Sequence, residues 1–187
     1  FTGNGVGVQY YNRYYWGALY FATTMNAYYT YCNFTGNYAK RSGGAIYISN
    51  SYTSNYVNVT FEDNYAQSSY YGESYGGGAI FINGLSSSDS FDNVTFRNNK
   101  VMASSANYAN NYYNGGGAIF FYSNVLNLNI NNSIFEDNSL NKINNLYGGA
   151  INFAYQFINV TVENSHFKNN SAYRGGAIYV NGYNSQD

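Results

Sequence analysis

Proline is absent from this chain of 187 residues, and only 9% of its residues are charged. Proline cannot donate a hydrogen bond to a strand ladder, so its absence suits a chain made of strands. The formal net charge is −1 and no basic face is visible, which argues against a nucleic-acid partner. No apolar run approaches the roughly 18 residues that a transmembrane helix needs, so no membrane insertion is predicted. Cys32 is the only cysteine, which excludes an internal disulfide.

Aromatic residues and asparagine are abundant instead. The chain contains 25 tyrosines, 13 phenylalanines and 33 asparagines, and 45% of its residues are hydrophobic. That hydrophobic content predicts a folded chain rather than a disordered one. Tyrosine and phenylalanine favour strands, whereas asparagine favours turns and tolerates left-handed backbone. The composition therefore predicts many strands joined by many tight turns.

Two short sequence words recur along the chain, FxxN and GGA followed by an aliphatic residue. The recurring phenylalanines are Phe34, Phe61, Phe96, Phe135 and Phe167, and the recurring glycines are Gly17, Gly44, Gly78, Gly117, Gly149 and Gly176. From each glycine to the next phenylalanine the distance is 17 or 18 residues, whereas from phenylalanine to glycine it ranges from 9 to 21. Length variation confined to one half of a repeat is typical of a solenoid whose loops share one edge.

The residues that follow the glycines alternate between inward and outward positions. Leu19, Ile46, Ile80, Ile119, Ile151 and Ile178 form one apolar column, and Phe21, Ile48, Ile82, Phe121, Phe153 and Val180 form a second column two residues later. A period of two places both columns on one face of a strand, which we expect to be the interior. The sequence thus predicts an all-β parallel solenoid of about six coils, residues 1–187, either part of a longer chain or a unit that stacks axially.

The residues between the two inward columns form an outward stripe. Its aromatic members are Tyr20, Tyr47, Phe81, Phe120 and Tyr179, with Asn152 in the remaining coil. One interpretation is cross-strand stacking that stabilises the sheet. The other is a docking stripe for a sugar or for a neighbouring molecule.

Two further columns follow the recurring phenylalanine. The asparagines of FxxN are Asn37, Asn64, Asn99, Asn138 and Asn170, which at a strand spacing of about 4.8 Å are expected to hydrogen-bond as a ladder. The residues directly after each phenylalanine are Thr35, Glu62, Arg97, Glu136 and Lys168. Their charge alternates from coil to coil, which predicts modest ion pairing between adjacent strands.

The pair of words GGA[I/L/V] and FxxN resembles the repeat of the chlamydial polymorphic outer-membrane proteins, from about Tyr15 to Gly182. The resemblance implies a right-handed parallel β-helix in an extracellular or cell-surface location. In bacteria such repeats form the passenger domains of autotransported adhesins.

A catalytic role is not predicted. Parallel β-helices also host polysaccharide-active enzymes, which need converging carboxylates or a calcium site. Asp89, Asp92 and Glu163 are the acids that could approach one another. His166 is the only histidine and has outward parity, so we interpret it as an exposed strand residue. No metal-ligand spacing or nucleophile set is present, so we expect no cofactor and no metal.

Six N-glycosylation sequons are present, at Asn33, Asn58, Asn93, Asn131, Asn159 and Asn169. They carry glycans only if the chain is secreted by a eukaryote, and otherwise belong to a surface ladder of polar residues. Three functions remain open at this point. The first is an extracellular structural rod or filament whose partners are other copies or flanking coils. The second is an adhesin that binds a host surface or glycan, and the third is a polysaccharide-active enzyme.

Overall fold

The computed structural model describes residues 1–4, 17–68, 76–103, 114–141 and 146–182. Within these ranges the chain forms 23 β-strands and no helix, so none of the described segments could cross a membrane as a helix. The strands belong to four sheets, and every strand pair within them is parallel. We name the sheets in the order in which each coil visits them: the Ile sheet, the bent sheet, the Phe sheet and the short sheet.

Each sheet collects equivalent strands from successive repeats. The Ile sheet contains β1 (Leu19–Phe21), β5 (Ile46–Ile48), β9 (Ile80–Ile82), β14 (Ile119–Phe121), β19 (Ile151–Phe153) and β23 (Ile178–Val180). The bent sheet contains β2 (Thr24–Thr30), β6 (Ser51–Val57), β10 (Ser86–Ser87), β11 (Ser90–Asp92), β15 (Val125–Leu126), β16 (Asn129–Asn131), β20 (Phe157–Ile158) and β21 (Thr161–Glu163). The Phe sheet contains β3 (Asn33–Thr35), β7 (Thr60–Glu62), β12 (Thr95–Arg97), β17 (Ile134–Glu136) and β22 (His166–Lys168). The short sheet contains β4 (Tyr38–Ala39), β8 (Tyr65–Ser68), β13 (Lys100–Ala103) and β18 (Ser139–Leu140).

The register of the sheets follows the columns expected from the sequence. In the Ile sheet, Ile119 lies opposite Ile80 on one side and opposite Ile151 on the other. In the Phe sheet, Phe96 lies opposite Phe61 and Phe135. Each repeat is therefore one coil, and equivalent residues of successive repeats are neighbours in space. The predicted parallel β-helix is confirmed, whereas its right-handedness and its number of coils stay predictions.

The interior is filled by these stacked columns. Ile46, Ile80, Ile119 and Ile151 are fully buried. The FxxN phenylalanines stack face to face, for example Phe61 on Phe96 with ring centroids 4.9 Å apart and planes 5° apart. Aromatic rings prefer centroid distances of about 4.5–7 Å, so one strand spacing suits them. Apolar burial in every coil supplies the main stabilisation of the fold.

The FxxN asparagines form the expected ladder, and Asn37, Asn64, Asn99 and Asn138 are buried. The Nδ2 of Asn64 donates to the Oδ1 of Asn99 at 2.9 Å, and the backbone N–H of Asn64 donates to the same oxygen at 3.1 Å. The Nδ2 of Asn99 donates to the carbonyl of Phe61 and to the Oδ1 of Asn138. A buried amide is tolerated only when its donors and acceptors are satisfied, and this geometry satisfies both ends of the amide.

The coils turn at residues with left-handed backbone. In the GGA word, Gly43 has φ +65°, and a Cβ on Gly44 would lie 2.1 Å from the carbonyl oxygen of Gly78. The first glycine therefore supplies the positive φ, and the second permits close approach of the next coil. At the other corners the same conformation is adopted mostly by asparagine and aspartate, at Asn26, Asn58, Asp63, Asn93, Asn98, Asn127, Asn132, Asp137, Asn159, Asn164 and Asn169. These residue types tolerate left-handed backbone best after glycine, which explains much of the asparagine content.

The alternating charges pair as expected on the outer face of the Phe sheet. Arg97 lies between two carboxylates, 3.3 Å from Glu62 and 3.5 Å from Glu136. Lys168 contacts Glu136 at 2.8 Å. Hydrogen bonding and charge attraction from Lys168 lower the pKa of the Glu136 carboxyl. All four side chains are accessible to water, so the pairs contribute modestly.

The first four residues continue the ladders by one step. Thr2 forms a parallel bridge with Thr35, and the ring of Phe1 stacks on Phe34 with centroids 4.9 Å apart. Asn4 donates through Nδ2 to Oδ1 of Asn37. The word FTGN at residues 1–4 is thus a further FxxN unit in register with residues 34–37.

Candidate functional site

The outward stripe of the Ile sheet is not an accessible surface in its middle. Tyr47, Phe81 and Phe120 are 6%, 2% and 0% exposed, and Asn152 is also fully buried. Other parts of the chain cover this face: the Tyr122 ring lies 6.2 Å from the ring of Phe81 and 5.9 Å from that of Phe120, centroid to centroid, and a Cβ on Gly76 would lie 2.4 Å from Cδ1 of Phe120. The prediction of a docking stripe is therefore wrong for these three aromatic residues.

The stripe instead forms a second apolar cluster outside the solenoid core. Tyr20 stacks on Tyr47 with centroids 5.5 Å apart, and Tyr47 stacks on Phe81 at 5.1 Å. Tyr179 stacks on Tyr147 at 4.5 Å. The stacking interpretation is therefore confirmed. Tyr20 is 49% exposed, so it is the stripe's most accessible described aromatic residue.

The acids considered for catalysis do not converge. Asp89 points into the solenoid, where it is 1% exposed. Asp92 and Glu163 are exposed on the outer face of the bent sheet, in register with Asn131 between them. Asp92 also accepts a hydrogen bond from the Nδ2 of Asn132. Among the residues that the structure describes, no group of three or more His, Cys, Asp or Glu is placed to bind a metal ion.

Asp89 belongs to a buried polar cluster that the sequence did not reveal. Its Oδ1 accepts from the Ser51 hydroxyl at 2.8 Å and from the Ser54 N–H at 2.7 Å, and its Oδ2 accepts from the Ser86 hydroxyl at 2.5 Å. Burial raises the pKa of the Asp89 carboxyl, and these three hydrogen bonds oppose the shift. The Thr24 hydroxyl also belongs to this cluster, because it hydrogen-bonds to the hydroxyls of Ser51 and Ser54. Every described contact of this carboxylate is internal, which indicates a structural role.

The sequon asparagines lie at the surface, where most of them form corners. Asn33, Asn93, Asn159 and Asn169 are exposed, and Asn58 and Asn131 are half-buried. Four of the six, Asn58, Asn93, Asn159 and Asn169, have left-handed backbone. Nδ2 of Asn93 donates to Oδ1 of Asn58 at 2.5 Å, so glycans on these consecutive coils would crowd. Backbone geometry thus accounts for these asparagines without a sugar, and glycosylation stays a prediction.

The single histidine and the single cysteine lie on separate strands or turns of the solenoid. His166 is exposed on β22, as its parity predicted. The Cys32 thiol is half-buried and donates to the carbonyl of Thr30 at 3.3 Å.

A shallow groove of about 290 Å³ lies on the outer face of the short sheet. Two neighbouring strands, β8 and β13, supply its floor together with the corner residues that precede them. Three pairs of side chains line it, namely Asp63 with Asn98, Tyr65 with Lys100, and Gln67 with Met102. The last two pairs are register partners, and the alternation of residues 63, 65, 67 and 98, 100, 102 turns all six outward.

The groove lies over the two longest strands of the short sheet. β8 and β13 have four residues each, whereas β4 and β18 have two. They are followed by residues 69–75 and 104–113, which lie outside the described residues, as does the segment 142–145 after β18. The described chain resumes at Gly76, Asn114 and Leu146, and close to these points Gly115 forms parallel bridges with Gly76 and with Tyr147. The insertions therefore leave and rejoin the solenoid at one edge, as predicted, and that edge borders the groove.

The repeats match a known family in four regions. The model of the Chlamydia polymorphic membrane protein repeat matches residues 31–49, 58–83, 93–122 and 164–181. These four stretches are similar to that repeat. This confirms the resemblance seen in FxxN and GGA. The polymorphic membrane proteins are located at the outer membrane and cell surface, which confirms the expected surface location. No curated protein and no solved structure matches the chain.

The groove could be predicted only in part from the sequence. The residues after FxxN belong to the half of the repeat whose length varies, so the repeat alone does not identify the outward positions of β8 and β13 as one surface. The signal that could have identified it is the pair of large side chains one and three residues after the asparagine. These are Tyr65 and Gln67 after Asn64, and Lys100 and Met102 after Asn99.

Proposed function

We propose that this chain is a rigid β-helical segment of a rod at the cell surface. The supporting observation is the continuity of the ladders. Phenylalanine stacks on phenylalanine in every step from Phe1 to Phe167. The FxxN asparagine amides are hydrogen-bonded in the same steps from Asn4 to Asn170. A repeat array in which each coil pairs with the next extends along one axis and resists bending.

The last described coil supports axial association. Phe157, Val162 and Val180 are 43%, 39% and 42% exposed, although their columns are buried in the middle coils. Val162, for example, is in register with the fully buried Ile130. Flanking coils or a second copy of the chain would cover these side chains and pair with the open backbone.

Sedimentation velocity and electron microscopy of the purified chain test this proposal. We expect elongated particles that associate end to end. Because backbone pairing and apolar contact are screened little by ions, association should persist from low to high salt. Val162→Asp should abolish the association without unfolding the chain, and Ile158→Asp, on the outward face of the same sheet, should leave it unchanged. Compact monomers at every concentration, or oligomers that dissociate in salt, would contradict the proposal.

An adhesive role is the second candidate, and the groove favours it. The groove borders the edge at which the insertions of greatly differing length leave the coils. In repeat proteins, insertions on one face often mark the binding face. A rod that presents this edge would combine the structural role with binding to a host surface or glycan.

A further inference from the structure

We propose that the groove over β8 and β13 binds a neutral saccharide unit. This inference deepens the adhesive role proposed above and rests on it only for its biological setting. The groove is built from three neighbouring pairs of outward side chains, and it combines an aromatic ring, a carboxylate, an ammonium group and amides in about 290 Å³. That volume is just below the range for small-ligand sites, about 300–1,000 Å³, and suits a single sugar unit.

The aromatic part of the groove is fixed in place. Tyr65 is half-buried, and its ring lies 4.5 Å from the ring of Tyr38, centroid to centroid, in the preceding coil. Both residues are register partners in the short sheet. A supported ring costs little conformational entropy when a ligand packs on it. A pyranose offers a face of C–H groups to such a ring and a rim of hydroxyl groups to its polar surroundings.

The polar part of the groove holds unused hydrogen-bonding capacity. Asn98 donates through Nδ2 to the Oδ1 of Asp63, which leaves the second oxygen of that carboxylate as an acceptor. Within the described residues, the side chains of Gln67 and Lys100 have no hydrogen-bond or ion-pair partner. An amide and an ammonium together offer several donors and one acceptor. A saccharide hydroxyl both donates and accepts, so it can satisfy each of these groups.

The charge balance points to a neutral ligand. The groove contains one carboxylate, on Asp63, and one ammonium, on Lys100. An anionic sugar would be attracted by Lys100 but repelled by Asp63, and a cationic ligand would meet the opposite arrangement. Equal and opposite charges favour a ligand that bonds to both without carrying net charge itself.

NMR titration of the intact chain with neutral glycosides provides the test. The probes are methyl β-galactopyranoside, methyl β-glucopyranoside and N-acetylglucosamine, with glucuronate as the anionic comparison. We expect saturable shifts of the side-chain amide signals of Gln67 and Asn98 with at least one neutral probe. Tyr65→Ala should weaken this binding about tenfold, because it removes the ring on which the pyranose face packs, and Tyr65→Phe should retain most of it.

Matched variants keep the test decisive. Tyr173→Ala removes a more exposed tyrosine, 53% exposed, from another coil and should leave binding unchanged. If Tyr65→Ala disturbs the fold, Gln67→Ala should still weaken binding severalfold. The absence of saturable shifts with all neutral probes, binding that survives both substitutions, or salt-sensitive binding of glucuronate alone would overturn the proposal. Cell adhesion that persists in Tyr65→Ala would then leave the adhesive role standing without this groove.

Discussion

Replacing Ile119 by aspartate is expected to unfold the chain or to lower its free energy of unfolding by about 5 kcal/mol or more. Ile119 is fully buried, and it packs in register between Ile80 and Ile151. A carboxylate at this position would have no described partner for its charge, and an unpaired buried charge is among the most costly changes in a protein interior. Urea denaturation followed by circular dichroism measures the loss.

Ile134→Asp is the matched control for that substitution. Ile134 begins β17 and is 39% exposed, so the same chemical change places the carboxylate in water. We expect a cost of less than about 1 kcal/mol. Similar losses for both substitutions would show that Ile119 does not lie in the interior, and would contradict the register on which the fold depends.

Replacing Asn99 by alanine is expected to lower the free energy of unfolding by about 3 kcal/mol or more. The change removes the acceptor for the N–H and the Nδ2 of Asn64 and the donor to Phe61 and Asn138. Each buried group left unsatisfied costs about 1–3 kcal/mol. Thermal or urea denaturation measures the effect, and Asn129→Ala, at an exposed position of β16, should change stability by less than about 0.5 kcal/mol.

Asn99→Asp separates the loss of the donor from the loss of volume. The carboxylate would face the acceptor oxygens of Phe61 and Asn138, which favours its protonated form and raises its pKa above the ordinary value of about 3.9. A raised pKa in the folded state makes the variant most stable below that value, and stability is lost as the pH rises through the folded-state pKa. A variant whose stability does not depend on pH relative to the parent chain would contradict the buried ladder.

The solenoid and its interior could be predicted because every coil needs apolar side chains at the same inward positions. A column such as Ile80, Ile119 and Ile151 is visible in one sequence because five or six copies satisfy one constraint. The alternation of Glu62, Arg97, Glu136 and Lys168 was visible for the same reason. Phe1–Asn4 has the same sequence as residues 34–37, FTGN, so the repeat also contains the signal for this first unit.

Features that occur once could not be predicted in this way. The buried carboxylate of Asp89 occurs in one coil only, so no repeated column of the sequence predicts it. The outward stripe was misjudged for a different reason: parity shows which face Phe81 and Phe120 occupy, but not that another segment of the chain covers that face. The groove depends on two strands that are longer than their equivalents, so it too is a departure from the repeat.

Cross-linking of register partners tests most directly that each repeat is one coil. In a Cys32→Ser background, Thr60→Cys combined with Thr95→Cys places two thiols on opposed positions of β7 and β12, at the strand spacing of about 4.8 Å that suits a disulfide. We predict rapid and complete oxidation with the fold retained, although 35 residues separate the two positions. Thr60→Cys combined with Ile134→Cys, two coils apart, should not cross-link within the molecule. Failure of the first pair, or equal cross-linking of both, would contradict the stacked-coil structure.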